Sequence, residues 1–155
     1  MANGSATAEA PPPPMAKRDP VSHTLTCKTD QSVKQVTVSI RDAMVFLVGG
    51  AGDQERYYVD GPNHNVDYVR DMVDADIEAL EIQTSCTTLP LGYNSFMSEE
   101  DLERNVIRKI PSCNTAIYII GHSLGGWNGA HLSAVLTERG FEIKILVTLD
   151  PVGHG

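Results

Sequence analysis

Three short runs of almost uninterrupted apolar residues constrain what this chain can fold into. They cover residues 43–48, 115–120 and 143–149, and each is rich in Val, Ile or Leu. A strand with one face in water usually alternates apolar and polar residues, and these runs largely lack that alternation. The pattern is typical of strands buried on both faces of a parallel sheet.

Segments with helical spacing lie between these runs. One apolar stripe runs along residues 66–80 and comprises Val69, Met72, Val73, Ile77 and Leu80. A second helix is predicted to start after Ser98 as N-cap, with three acidic residues in its first turn, and to stop at Pro111. A third is predicted over residues 127–139 and ends at Gly140.

The alternation of strands and helices indicates βαβ units, so we predict an α/β fold with a mainly parallel central sheet flanked by helices. Residues 23–27 and 33–40 are rich in Thr and Val and are predicted to be N-terminal antiparallel strands. Residues 81–93 are ambiguous and can hold a strand and a loop. Residues 1–20 include a run of four prolines and predict a disordered leader, which leaves 21–155 as the folded part.

Length and charge restrict the classes of function. The chain has 155 residues, enough for one domain with a hydrophobic core. Its 20 acidic and 12 basic side chains give a formal net charge of −8, which argues against a nucleic-acid partner but not against a lipid. The sequence shows neither a membrane-spanning apolar run nor a secretory signal. Localisation therefore stays open, with export by a signal-independent route as one hypothesis.

The sequence predicts no metal and no cofactor. Cys27, Cys86 and Cys113 match no metal-binding spacing, and buried thiols or a single disulfide are the preferred interpretation. Residues 50–52 begin a G-x-G-x-x-G pattern, but Glu55 stands where the third glycine would be. A nucleotide-binding loop is therefore not expected there.

Ser123 is the strongest candidate functional residue. It lies between Gly121 and Gly125, after the buried strand 115–120 and before a helix that begins near Leu124. A serine that attacks a carbonyl must stand clear of the sheet, and a sharp strand-to-helix turn presents it in that way. Glycines two residues to either side relieve crowding in such a turn.

Residues 121–126, Gly-His-Ser-Leu-Gly-Gly, resemble the nucleophile elbow of lipases in the α/β-hydrolase superfamily, and residues 147–153 resemble their Leu-Asp-Pro segment. The resemblance implies that Ser123 is the nucleophile and that Asp150 orients a catalytic histidine. Asp150 follows a predicted strand, and catalytic groups gather at the carboxyl ends of such strands. Two alternatives are that Asp150 only forms the turn before Pro151, or that the catalytic acid lies further along the chain. The N–H groups of Leu124 and of Gly50 or Ala51 are expected to form an oxyanion hole.

The catalytic histidine is the open point, because the family order is serine, acid, histidine. Only His154 follows Asp150, and it lies so close in sequence that an unusual loop would be needed. The other histidines are His23, His64, His122 and His131. We therefore expect the chain to be the N-terminal portion of an α/β-hydrolase domain, incomplete at its C-terminus, or to be completed by a second chain.

The expected function is hydrolysis of lipid acyl esters by a lipase or phospholipase, with a covalent acyl-enzyme and peripheral contact with a membrane. Bacterial lipase effectors are one hypothesis for its relatives. Carboxylesterases, thioesterases and amidases use the same catalytic groups. A non-catalytic α/β-hydrolase-like module that binds proteins is the alternative from a different class of function. Asp53 and Arg56 can line the mouth of the site, with solvated loop residues as the preferred interpretation.

Overall fold

The structure is a computed structural model that describes residues 21–29, 32–40, 42–58, 61–79 and 85–152, with backbone alone for the first two ranges. The predicted leader, residues 1–20, and His154 lie outside these residues. Strand β1 (Val21–Thr29) and strand β2 (Ser32–Ile40) pair with one another antiparallel and form a two-stranded sheet. Within the described residues no pairing joins this two-stranded sheet to the central one.

Within the described residues the central sheet has four parallel strands, three of which the apolar runs predicted. In chain order they are β3 (Ala43–Gly49), β4 (Cys86–Gly92), β5 (Ala116–His122) and β6 (Glu142–Leu149). Their order across the sheet is β4-β3-β5-β6, and every pairing is parallel. The α/β class is thus confirmed, and β4 shows that the ambiguous segment 81–93 holds a strand over Cys86–Gly92.

In the described part of the chain the strands are connected by the helices α1 (Asn65–Ala79), α2 (Glu99–Asn105) and α3 (Leu124–Glu138). Ser98 caps α2 as predicted, because its Oγ accepts a hydrogen bond from the Asp101 backbone N–H at 3.1 Å. The predicted second helix is interrupted: a separate 3₁₀ turn, Ile107–Lys109, follows α2 before Pro111. Helix α3 begins at Leu124, as predicted from the residues around Ser123 and earlier than the residue 127 given by the helical pattern, and it includes Gly125 and Gly126.

Both faces of the central sheet are packed against helices. On one face the strands meet α3 and the segment around α2, in a cluster that includes Phe46, Ile117, Ile119, Leu132 and Leu136. On the other face Val45 and Leu47 of β3 pack against Val66 of α1. Met72, predicted on the buried stripe of α1, is instead 68% exposed. Because α1 covers the sheet with a narrow contact, only part of its apolar stripe is buried.

The carboxyl ends of parallel strands lie at one edge of the sheet, so the loops after β3, β4, β5 and β6 converge there. The predicted burial of residues 143–149 on both faces is wrong for the described residues, because β6 is the outer strand of the described sheet and most of its residues are exposed. Ile145 is 53% exposed and Leu149 is 40% exposed. Among the described residues, no helix combines the length and apolar character needed to cross a bilayer.

Candidate active site

The backbone of Ser123 is strained where β5 turns into α3. Its φ of 56° and ψ of −126° lie outside the regions that non-glycine residues normally occupy. Backbone hydrogen bonds hold it there: the Ser123 N–H donates to Leu149 O at 2.9 Å, and Ser123 O accepts from Gly126 N–H and Val152 N–H. Strained residues persist only when their surroundings determine them in this way.

Gly121 and Gly125 are required by close backbone approaches at this turn. A Cβ atom at residue 121 would lie 2.3 Å from the carbonyl oxygen of Gly125. A Cβ atom at residue 125 would lie 2.1 Å from the carbonyl oxygen of Val48, at the end of β3. The crowding predicted from the glycine spacing is therefore present, and the absence of side chains lets α3 start directly against the sheet.

The loop after β3 contacts Ser123 directly. A Cβ atom at Gly50 would lie 2.9 Å from Ser123 Cβ and 3.3 Å from Ser123 Oγ. Leu124 is the first residue of α3, so its N–H has no acceptor within the helix. The structure thus brings both Gly50 and Leu124 next to the serine, with the half-buried Ala51 following Gly50.

Asp150 lies in a turn that wraps around the backbone of Ser123. It follows β6 with a φ of 45°, a conformation that Asp tolerates better than most residues. The residues on either side are fixed to the serine, because Leu149 O accepts from Ser123 N–H and Val152 N–H donates to Ser123 O. The Asp150 side chain is exposed. The turn predicted to carry the acid is therefore beside the serine.

No described histidine forms a hydrogen bond with Ser123 Oγ. His64 Nδ1 lies 2.9 Å from Asp67 Oδ2, and His122 Nδ1 is buried without a partner among the described residues. His131 is about two turns into α3, where it lines a shallow cavity of about 150 Å³ beside α2. The side chain of His23 and the whole of His154 lie outside the described residues.

Asp53 is buried, so the preferred interpretation of it as a solvated loop residue is wrong. Its side chain is 1% exposed, and its carboxylate accepts hydrogen bonds from the backbone N–H groups of Asn65 and Val66 at the start of α1. No local pattern predicts this, because acceptor and donors are 12 and 13 residues apart. Arg56 is exposed, as the sequence led us to expect.

Aromatic side chains lie on the loops at the same edge of the sheet. Tyr57 is 42% exposed and Tyr58 is 85% exposed, both on the loop after β3. The ring of Tyr57 makes an edge contact with Tyr93, on the loop after β4, at a centroid distance of 6.5 Å. Trp127, in the first turn of α3, is 49% exposed. Rings of this kind offer apolar contact while keeping a polar group in water.

The described residues contain no group of three or more His, Cys, Asp or Glu side chains that could hold a metal ion. Cys86 and Cys113 are free thiols. Comparison of the chain with protein-family models, with curated proteins and with solved structures finds no match. The geometry around Ser123 is therefore the basis on which a function can be proposed.

Proposed function

We propose that this chain carries the nucleophile site of a serine ester hydrolase with an α/β-hydrolase-like fold. The observation that carries the proposal is the backbone of Ser123, a non-glycine residue at a φ of 56° between a buried parallel strand and a helix. Strain of this kind is concentrated at active sites. A strand, a strained serine and a helix in this order make up the nucleophile elbow of that fold.

In the proposed reaction, Ser123 Oγ bonds to the acyl carbon of an ester while its proton passes to a histidine. The same histidine then gives this proton to the departing alcohol, which leaves an acyl-enzyme. In the second step water attacks the acyl carbon while the histidine takes its proton, and the histidine returns the proton to Ser123 Oγ as the carboxylic acid departs. Asp150 orients that histidine, for which His154 is the candidate in this sequence. The N–H groups of Leu124 and of Gly50 or Ala51 stabilise the oxyanion.

The proposed substrate is a lipid acyl ester, as for a lipase or phospholipase in peripheral contact with a membrane. The partly exposed Tyr57, Tyr58 and Trp127 support it, because they provide apolar surface at the edge where Ser123 lies. The net charge of −8 favours a neutral or zwitterionic lipid over an anionic one. A carboxylesterase or thioesterase would use the same groups with a shorter acyl chain or a thiol leaving group.

Labelling with a fluorophosphonate tests the nucleophile, because this reagent reacts with an activated serine and not with an ordinary one. We expect the full-length protein to form an adduct that peptide mass spectrometry locates at Ser123. Ser123→Ala should abolish labelling. Ser133→Ala, which removes a half-buried hydroxyl further along α3, should leave labelling unchanged. Absence of an adduct at Ser123 in the wild-type protein would contradict the proposal.

Hydrolysis assays separate the substrates. We expect phosphatidylcholine and long-chain p-nitrophenyl esters to be cleaved faster than p-nitrophenyl acetate or an acyl thioester. A preference for acetate would favour a carboxylesterase. Equal rates of ester hydrolysis for the wild-type protein and Ser123→Ala would contradict the enzyme hypothesis and favour a non-catalytic binding module.

A further inference from the structure

We infer that Asp53 is a positioning residue that holds the glycine loop, residues 49–52, against Ser123. The inference rests on the proposed hydrolase function, in which this loop supplies part of the oxyanion hole. Gly49 is held at the end of β3, but Gly50 and Gly52 follow the strand and have high conformational freedom, so the N–H groups of this segment need an external constraint to keep one direction. Oxyanion stabilisation depends on donors that are already in place before the reaction.

The Asp53 carboxylate is anchored to the start of α1. It is 1% exposed, and a buried carboxylate needs hydrogen bonds to offset its loss of water. Its oxygens lie 3.4 Å and 3.3 Å from the backbone nitrogen of Val66, and the N–H of Asn65 also donates to it. These N–H groups have no acceptor within the helix, and the helix dipole favours a negative charge there.

The backbone of Asp53 closes the turn that carries Gly50. The Asp53 N–H donates to Gly50 O at 3.2 Å, and Asp53 O accepts from the N–H of His64 at 2.9 Å. One residue earlier, Gly52 O accepts from Asn63 N–H at 2.7 Å. Backbone hydrogen bonds from two successive residues therefore tie the end of the glycine loop to the segment that enters α1.

A continuous set of contacts links Asp53 to Ser123. A Cβ atom at Gly49 would lie 2.3 Å from Asp53 Oδ2, so the carboxylate packs directly on the Gly49 backbone. The next residue, Gly50, packs on Ser123. The contacts therefore run from the start of α1 through the buried Asp53 carboxylate and the backbone of Gly49 and Gly50 to Ser123. A change at Asp53 is expected to reach Ser123 through the position of the loop.

Two variants disturb this arrangement in different ways. Asp53→Asn keeps the shape of the side chain but replaces an acceptor oxygen by an NH₂ group that faces backbone donors. Gly49→Ala keeps the charge but pushes the carboxylate away. Asp71→Asn is the matched control, because it removes an exposed carboxylate of α1 that pairs with Arg70.

Amide hydrogen exchange of the full-length protein, read by mass spectrometry, measures the loop directly. We expect peptides covering residues 49–53 to exchange at least about tenfold faster in Asp53→Asn and Gly49→Ala, while peptides from α3 keep their wild-type rates. Asp71→Asn should match the wild-type protein throughout. Combining the two loop changes should add little to either alone, because both release the same contact.

The catalytic readout is the rate of fluorophosphonate labelling and of ester hydrolysis. Asp53→Asn should lower the labelling rate and kcat by roughly 10- to 100-fold with little change in KM, because a misplaced oxyanion donor acts mainly on the transition state. Wild-type exchange in the loop of Asp53→Asn, or equally faster exchange in every peptide, would overturn the inference. If wild-type Ser123 failed to label, the proposed function would fail instead, and the exchange data would still decide whether Asp53 holds the loop.

Discussion

Gly50 is in direct contact with Ser123, so close that a methyl group at residue 50 would lie 2.9 Å from Ser123 Cβ and 3.3 Å from its hydroxyl oxygen. The two residues follow neighbouring parallel strands, β3 and β5, whose carboxyl ends meet at one edge of the sheet. The contact places backbone, and no side chain, of residue 50 beside the serine. It makes residue 50 a sensitive position for any reaction at Ser123.

Gly50→Ala is expected to reduce ester hydrolysis and fluorophosphonate labelling by roughly 100-fold, because the added methyl group displaces either the loop or the serine. Gly140→Ala is the control. Gly140 has a φ of +86°, and a methyl group there would have no atom within 4 Å, so the change should cost about 1 kcal/mol of stability and leave labelling unchanged. Normal labelling of Gly50→Ala would show that the loop does not restrict Ser123.

Gly125 and Gly129 form a matched pair on the buried side of α3. A Cβ at Gly125 would meet the Val48 carbonyl oxygen at 2.1 Å, whereas one at Gly129 would first meet the Ile119 side chain at 3.3 Å. Backbone cannot move aside as a side chain can. We expect urea denaturation to show a loss of about 3 kcal/mol for Gly125→Ala and a change within about 1 kcal/mol for Gly129→Ala. Equal effects would contradict the close approach of α3 to β3.

Asp150→Asn tests the proposed catalytic acid. If Asp150 orients the histidine, its loss should lower kcat by roughly two to four orders of magnitude. Stability should change little, because the side chain is exposed. Asp76→Asn, which neutralises an exposed carboxylate on α1, should keep the wild-type rate. Full activity of Asp150→Asn would show that Asp150 serves only to form the turn before Pro151 and that another residue is the catalytic acid.

Ser98→Ala should lower the free energy of unfolding by about 1 kcal/mol, since it removes the side-chain acceptor of the Asp101 N–H at the start of α2. Ser98→Asp, which also accepts at an N-cap, should recover most of that loss. Urea denaturation followed by circular dichroism measures both. Identical stability of Ser98→Ala and the wild-type protein would exclude the cap as a stabilising contact.

Cys86 is expected to react slowly with iodoacetamide in the folded protein. Burial raises the pKa of its thiol, and the nearby Asp74 carboxylate raises it further, so less thiolate is present at a given pH. Peptide mapping should place the midpoint of its alkylation at a higher pH than in urea-unfolded protein, and Asp74→Asn should lower that midpoint. Because the raised pKa favours the neutral thiol, this group's contribution to stability should be lost as pH rises from the unfolded to the folded pKa.

Local patterns were sufficient to predict several features of the central sheet and its connections. The apolar runs predicted the strands β3, β5 and β6, and β3 and β5 are largely buried as such runs indicate, whereas β6 is largely exposed. The cap at Ser98 could also be predicted, because its acceptor and donor are only three residues apart in the sequence. The helical pattern by itself began α3 only at residue 127, because Gly125 and Gly126 are poor helix formers, and the start at Leu124 was predicted from the turn around Ser123.

The sequence by itself determined the α/β class and the position of the serine between two glycines, because strand burial and turn crowding depend on neighbouring residues. The tertiary structure alone decided the strand order β4-β3-β5-β6, the contact of Gly50 with Ser123 and the burial of Asp53. These features join groups far apart along the chain. Long-range packing and burial create them, and no local period or spacing in the sequence encodes them.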